Sequence, residues 1–262
     1  MTDTPTTIRI DRDGPVATVW MNRPEHRNAI GGAMLAELHS ALQGIAIDRS
    51  VRILVLRGAG GDFCPGADIK HYGSGNATQE TPAPDLTLFD IPVLLHEMPA
   101  LTIAAVQGAC AGAGMGWACA CDLRVASETA RFNSAFLDVG VAGDMGGPWT
   151  LPRIVGPARA RELYFLPGKF DAAEARQIGL VSRVSAAAEF EADLQALVER
   201  LRRAAPMALT EMKANFLAAE KVGFGDYIAL ESEKHLRLFQ SEDTAEAFRA
   251  FLEKREPQFR GR

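Results

Sequence analysis

Cysteine is scarce in this chain: Cys64, Cys110, Cys119 and Cys121 are the only four in 262 residues, too few to form a disulfide framework for this length. No histidine pair stands near them, so no metal site is read, and the four are expected as buried free thiols in a reducing cytosol. Positive charge is also short. Lys and Arg number 28 against 33 Asp and Glu, a net charge of -5. Binding nucleic acid needs a basic face, so nucleic acid is not expected as the main partner. The N-terminus, MTDTPTTIRIDRDG, lacks both a basic region and an apolar core and reads as no signal peptide, which points to the cytoplasm. Only one long uncharged run occurs, from Met98 to Cys121. It is long enough to span a bilayer, but Ala, Gly and Cys dominate it, Pro99 and Gln107 interrupt it, and Leu appears once. It reads as a buried strand, a Gly-rich turn and a tightly packed helix, with no membrane span. Phosphate fingerprints are missing too: G-x-G-x-x-G fails because position 117 is Trp, and no G-x-x-x-x-G-K-[ST] occurs; nor does G-x-S-x-G, so a serine-hydrolase elbow is not supported.

What remains is an ordinary globular mixture, 47% hydrophobic and 23% charged, enough for one large domain or two small ones. Residues 7–11 and 15–21 read as a hairpin turning at Asp13-Gly14. Met34, Leu35, Leu38, Leu42 and Ile45 form a helical stripe across 31–48, and residues 52–57 and 101–106 read as apolar strands. Strand, helix, strand at this spacing predicts an α/β layered fold. Residues 70–90 are polar and rich in Gly and Pro, a long loop of functional type. Phe190, Leu194, Leu197, Val198 and Leu201 make one C-terminal stripe, and Leu209, Met212, Phe216 and Leu217 another. Asp171 with Glu174, and Asp243 with Glu246, have capping-box spacing.

Two Gly-rich segments follow strands: Arg57-Gly-Ala-Gly-Gly-Asp-Phe-Cys-Pro-Gly-Ala-Asp-Ile-Lys70 and Gly108-Ala-Cys-Ala-Gly-Ala-Gly-Met-Gly-Trp117. Glycine admits close backbone approach, and a helix N-terminus presents unpaired N–H groups. If the segments converge, they form a backbone-built anion site of the kind an oxyanion hole requires; otherwise they are tight turns packed on a sheet.

The chain resembles the crotonase (enoyl-CoA hydratase/isomerase) superfamily through a series of motifs in order. These are Asn22-Arg-Pro-Glu-His-Arg-Asn-Ala29, Phe63-Cys-Pro-Gly-Ala-Asp-Ile-Lys70, Gln107-Gly108 with Ala111-Gly-Ala-Gly114 and Cys121-Asp122, Leu151-Pro-Arg-Ile-Val-Gly156, the stretch Ala172 to Val184, and Phe251-Leu-Glu-Lys254. The resemblance implies a spiral of ββα turns over residues 1–195, followed by a C-terminal helical region, 196–262, that builds a homotrimer or a hexamer. It implies a lyase or isomerase acting on an acyl-CoA thioester, with coenzyme A carried on the substrate and no permanently bound cofactor. By position, the N–H groups of Ala67 and Ala113 would hold the thioester oxygen, roughly 3–4 kcal/mol per donor. Arg27, Ala29, Ala67 and Ile69 fall where the family contacts coenzyme A, and Phe251 and Lys254 where a neighbouring subunit contacts it.

The two glutamates of the best-known hydratases fall at Gly116 and Phe136, neither of which can move a proton. Asp144, in Val139-Gly-Val-Ala-Gly-Asp-Met-Gly-Gly147, is the acid left. Its surroundings resemble the dienoyl-CoA isomerase branch, whose partner acids would again fall at Gly116 and Phe136. They also resemble the 4-chlorobenzoyl-CoA dehalogenase branch, whose pocket Trp is Phe136 here. Asp144 reads either as the proton carrier of a double-bond isomerase or as a helix N-cap; Asp138 reads as structural. Hydration, as the family label suggests, and acyl-CoA binding without catalysis are the alternatives. His26, His39 and His235 are expected on solvated faces and His96, beside Glu97, in a structural role; His71 opens the long loop over the acyl pocket.

Overall fold

The computed structural model describes residues 6–69 and 85–262; His71 and most of the expected 70–90 loop lie outside them. Strands β1 (Ile8–Asp13) and β2 (Val16–Met21) form the expected antiparallel hairpin, with Ile8 opposite Met21 and Asp13 opposite Val16. This register makes Gly14 and Pro15 the loop residues, one position later than the expected turn, because the first of them must take positive φ and Gly14 does so at +53°. Strands β3 (Ile53–Gly58), β4 (Leu101–Val106), β5 (Ala109–Ala111), β6 (Leu123–Ser127), β7 (Arg131–Asn133), β8 (Phe170–Asp171) and β9 (Arg183–Ser185) follow. Two sheets result, ordered β1-β2-β3-β4-β6-β9 and β5-β7-β8, with β2, β3, β4, β6 and β9 parallel. In the two central turns, β4–β5 and β6–β7, the first strand lies on the large sheet and the second on the small one. Even the short segment after β3 obeys this, since Cys64 bridges in parallel to Cys110 of β5. The fold is the expected α/β spiral of ββα turns.

The helices are α1 (Gly32–Ile47), α2 (Ile91–Glu97), α3 (Ala113–Ala120), α4 (Gly147–Val155), α5 (Pro157–Phe165), α6 (Ala172–Gln177), α7 (Phe190–Arg202), α8 (Pro206–Ala219), α9 (Phe224–Phe239) and α10 (Glu242–Glu253). All six residues of β3 are buried, as a parallel strand covered on both faces requires. The pleat splits them. Leu54 and Leu56 join Met34, Leu38 and Leu42 of α1 and Trp117 of α3 in the main core. Ile53 and Val55 face the other way, against Phe190, Leu194 and Leu197 of α7. Arg57 closes that second layer with a bidentate pair to Glu191 (3.1 and 2.7 Å), its guanidinium over the Trp20 ring. The uncharged run folds as expected into strand, Gly-rich turn and helix, and every residue of α3 is buried. No helix among the described residues is long and apolar enough to cross a membrane. The four cysteines are free and buried.

Several expectations change. His39 is buried, because its position on α1 faces the core beside Leu38 and Leu42. Residues 86–90 form a 3-10 helix capped by Asp85, whose carboxylate accepts the Thr87 N–H at 2.9 Å, so this end of the long loop is ordered. Asp171 caps α6 as expected, accepting the Glu174 N–H at 2.9 Å. Asp243 caps nothing: Ser241 caps α10 instead. Asp243 and Glu246 bind the C-terminal tail through the N–H groups of Arg260, Gly261 and Gln258. The helix α7 runs unbroken through residue 195. Beyond it, Lys213 is the one buried residue of α8, with Nζ 2.8 Å from Asp122 and 2.9 Å from the Ala100 carbonyl. Met212 and Phe216, expected on an apolar stripe, are exposed, as are Phe224 of α9 and Phe251 of α10.

Candidate active site

The two glycine-rich segments converge. The N–H groups of Phe63 and Cys64 donate to the carbonyls of Gln107 and Ala109, both at 2.8 Å, and the Ala111 N–H donates back to Cys64 at 2.9 Å. Gly66 and Gly112 meet just beyond this ladder, at φ +92° and +52°. A Cβ at Gly66 would lie 3.1 Å from the Ala111 carbonyl. Backbone conformation and close approach both require glycine here. Ala67 and Ala113 each follow one of these glycines. Ile30 bridges to Ala67 through its own N–H to Gly66 (2.9 Å) and the Asp68 N–H to Ile30 (3.1 Å), so the Ala67 N–H takes no part in the ladder. Ala113 opens α3, where first-turn N–H groups have no intrahelical acceptor and the helix presents its positive end.

A third segment locks onto this pair. Arg27 grips Asp62 through Nε (2.8 Å) and Nη2 (3.0 Å), and Asp62 Oδ1 also accepts the Ala109 N–H at 2.7 Å. Arg27 and the Ala109 N–H hold the Asp62 carboxyl below the usual carboxylate range, and Asp62 raises Arg27 in return. Buried Asn28 accepts from the Arg23 N–H and donates to the carbonyls of Ala59 and Asp62. Arg23 donates to the Ala29 carbonyl and to Asp68. Arg27, Ala29, Ala67 and Ile69 are thus on interlocked loops, with Arg27 and Ile69 exposed. Phe251 and Lys254 are elsewhere, at the end of α10, and neither bonds to that cluster through its side chain among the described residues. Sequence reasoning missed Asp62, Arg23 and Asn28 as the clamps of these loops. Their signal was weak: each is a lone polar residue whose partner lies on another segment or in the backbone.

Asp144 lies in the loop before α4. It does not cap that helix: the N-cap is Gly146, with no side-chain cap bond. Its Oδ1 is buried without a hydrogen-bond partner among the described residues. Burial alone raises its pKa above the ordinary carboxylate value. Phe136, at one hydratase acid position, is buried against Tyr164 of α5, ring centroids 6.0 Å apart and planes 14° from parallel. At the other, a Cβ on Gly116 would stand 2.9 Å from both Cβ and the carbonyl oxygen of Met145, which fills that space. Asp138 is exposed and makes no side-chain bond among the described residues, so its expected structural role fails. His96 bonds Glu220 at 2.9 Å and packs edge-on against Trp149, a structural role, while His26 and His235 are exposed.

The layered spiral thus brings two glycine-rich loops together, and a separate loop carries a carboxylate whose Oδ1 is buried without a partner among the described residues. The Enoyl-CoA hydratase/isomerase family model matches residues 11–262. A probable enoyl-CoA hydratase of Rhodobacter capsulatus is 36% identical, covering 98% of each chain. The 1,2-epoxyphenylacetyl-CoA isomerase of Escherichia coli is 34% identical, over 94% of this chain and 95% of that one. The crystal structure of an enoyl-CoA hydratase/isomerase from Marinobacter aquaeolei superposes with a TM-score of 0.85 at 32% identity, covering 96% of this chain and 98% of that one. The chain belongs to the enoyl-CoA hydratase/isomerase family and has the crotonase fold.

Proposed function

We propose that this crotonase-family enzyme moves a double bond in an acyl-CoA thioester, with Asp144 as its single proton carrier. The observation that carries this reading is the buried, unpartnered Asp144 Oδ1 in a site whose two hydratase acid positions are occupied by Gly116, backed by Met145, and by Phe136. Hydration needs an activated water, and neither position has a group to activate one. For a 3-enoyl thioester, the Asp144 carboxylate takes a proton from C2 and the electron pair moves into the carbonyl. The resulting enolate oxygen rests between the N–H groups of Ala67 and Ala113. As the pair returns, the C3–C4 double bond becomes C2–C3, Asp144 delivers its proton to C4, and the carboxylate is regenerated. A relative from Arabidopsis thaliana named Delta(3,5)-Delta(2,4)-dienoyl-CoA isomerase supports this reading.

Coenzyme A is the handle of the substrate, held by Arg27, Ala29, Ala67 and Ile69 and, from a neighbouring subunit, by Phe251 and Lys254. That arrangement needs a homotrimer or a dimer of trimers, with region 196–262 as the assembling part; the exposed Phe216, Phe224 and Phe251 supply apolar surface for it. The four free thiols suit the cytoplasm. The test is turnover of a 3-enoyl-CoA against crotonyl-CoA. Isomerisation without hydration is the expected result; hydration of crotonyl-CoA, or tight binding without turnover of either, overturns the reading.

A further inference from the structure

Asp144 has no side-chain bond to hold it, yet its loop is held. A Cβ added at Gly143 would lie 3.6 Å from Tyr164 Cε1, and one added at Gly147 would lie 1.7 Å from Tyr164 Oη and 2.9 Å from Cζ. The phenol of Tyr164 therefore occupies the side-chain space of Gly147 and touches that of Gly143, as Pro148 does at the same 3.6 Å, and Asp144 stands between these two contacts. The same ring stacks on Phe136, and Phe136 Cε1 lies 4.0 Å from the Cβ position of Gly112, beside Ala113. One packed series links Gly112, Phe136, Tyr164 and the Asp144 loop. We infer that Tyr164 is a positioning residue that fixes the reach from the Asp144 carboxylate to the oxyanion amides, through Gly147 at its hydroxyl and Phe136 at its ring. The inference rests on the reading of Asp144 as proton carrier. Tyr164 supplies packing to a segment with four glycines, three of them, with Met145, at positive φ: the phenol fills the space that Gly147 leaves open.

The titratable neighbours leave Asp144 as the group that changes charge. Burial pushes Cys64, after β3, up to about 12 and Cys119, on α3, up to about 11; it raises the Tyr164 hydroxyl as well. All three stay neutral through the working range.

The test is a double-mutant cycle on 3-enoyl-CoA turnover. Gly147→Ala drives a Cβ into the Tyr164 hydroxyl. It should lower kcat at least tenfold with KM within about twofold, and move the acid limb of the rate profile toward the ordinary carboxylate pKa as the displaced Asp144 gains water. Tyr164→Phe, which loses the contact at Gly147 and keeps the ring stack on Phe136, should lower kcat by about three- to fivefold, less than Gly147→Ala. Gly147→Ala/Tyr164→Phe should recover part of what Gly147→Ala loses, because the oxygen at 1.7 Å is gone while Cζ at 2.9 Å remains. Should Gly147→Ala fail to fold, Tyr164→Leu must give the same kcat loss and limb shift. Equal impairment of the single and double variants, or an unmoved acid limb, overturns the positioning role. Asp144→Asn is run alongside: an inactive Asp144→Asn beside a wild-type Gly147→Ala overturns the role of Tyr164 alone, whereas a fully active Asp144→Asn removes the reading on which it rests.

Discussion

The two sides of the site are built from different material. On the oxyanion side no side chain faces the substrate oxygen in the proposed chemistry. Three loops are tied by backbone ladders, by the Asp62–Arg27 pair and by Asn28, and their donors are amides of alanines. On the acid side one carboxylate stands on a glycine-rich loop with its Oδ1 buried and unpaired. The first side is over-determined, so it can be inherited unchanged whatever the reaction. The second turns on the residue at one or two positions, so the reaction can change there without disturbing the fold. Relatives of similar identity named as hydratase and as isomerase fit that division.

The largest effect should come from the side with least redundancy. Asp144→Asn removes the proton carrier while keeping its shape, and kcat should fall about 100-fold or more, the usual contribution of a general acid/base. Affinity for the acyl-CoA, measured by calorimetry, should stay within about threefold, since the proposed coenzyme contacts lie on other loops. An equal loss in affinity and rate would mean that the two sides are not separable.

The oxyanion side should break through its backbone. A Cβ at Gly114 would stand 2.3 Å from the Cys64 carbonyl oxygen and 2.8 Å from Cys64 Cβ. Neither neighbour is a flexible side-chain end, so Gly114→Ala must shift the ladder that carries both amides. A cost of about 1–3 kcal/mol in urea unfolding is expected, as for other overpacked sites, together with a loss of rate. Gly44, inside α1 with nothing near its Cβ position, is the control: Gly44→Ala should stabilise by about 0.5–1 kcal/mol and leave turnover alone.

The same division explains what could be read from the chain. Glycines, strand runs and motif order report backbone, so the spiral and the convergence of the two loops were legible. Side-chain partnerships across the fold were not. Tyr164 lies beyond Asp144 in sequence, and only the packing of α5 brings it under Gly143 and Gly147. The capping spacing of Asp243 and Glu246 is real, but the C-terminal tail competes for both carboxylates, and a tail that returns to a helix start leaves no local pattern. His39, with Glu37 and Ser40 close by in the sequence, still faces the core, because helix phase decides burial. The first C-terminal stripe predicted both a helix and its burial, through Phe190, Leu194 and Leu197; the second predicted a helix but not its burial, since Met212 and Phe216 face outward in a single chain.

A smaller effect should appear in the pH dependence. As a base, Asp144 must be ionised, and burial places its pKa above the ordinary carboxylate value. Turnover should therefore fall tenfold per pH unit below an apparent pKa higher than about 4. The limb should be absent from the residual rate of Asp144→Asn. A limb at the ordinary carboxylate value would put Asp144 in water, and the acid side would then be no more exposed to chance than the other.

The smallest effect separates the two sides by stability. A carboxyl whose pKa is raised on folding favours the protonated native state, so its cost is absent below the unfolded value of about 3.9. That cost grows as pH rises from there through the folded pKa, and at neutral pH it is fully present. Asp144→Asn deletes the charge and keeps the shape, so the variant should be more stable than the parent at pH 7 by something on the order of 1 kcal/mol, the scale of relieving one buried unpaired polar group. The difference should vanish toward pH 3, as thermal unfolding at both pH values would show. An oxyanion-side substitution cannot behave this way, since its amides do not titrate: Gly114→Ala should be less stable than the parent by the same margin at either pH. If Asp144→Asn is no more stable than the parent at pH 7, the carboxylate is at ease in its loop, and the contrast between an over-determined side and a strained one fails.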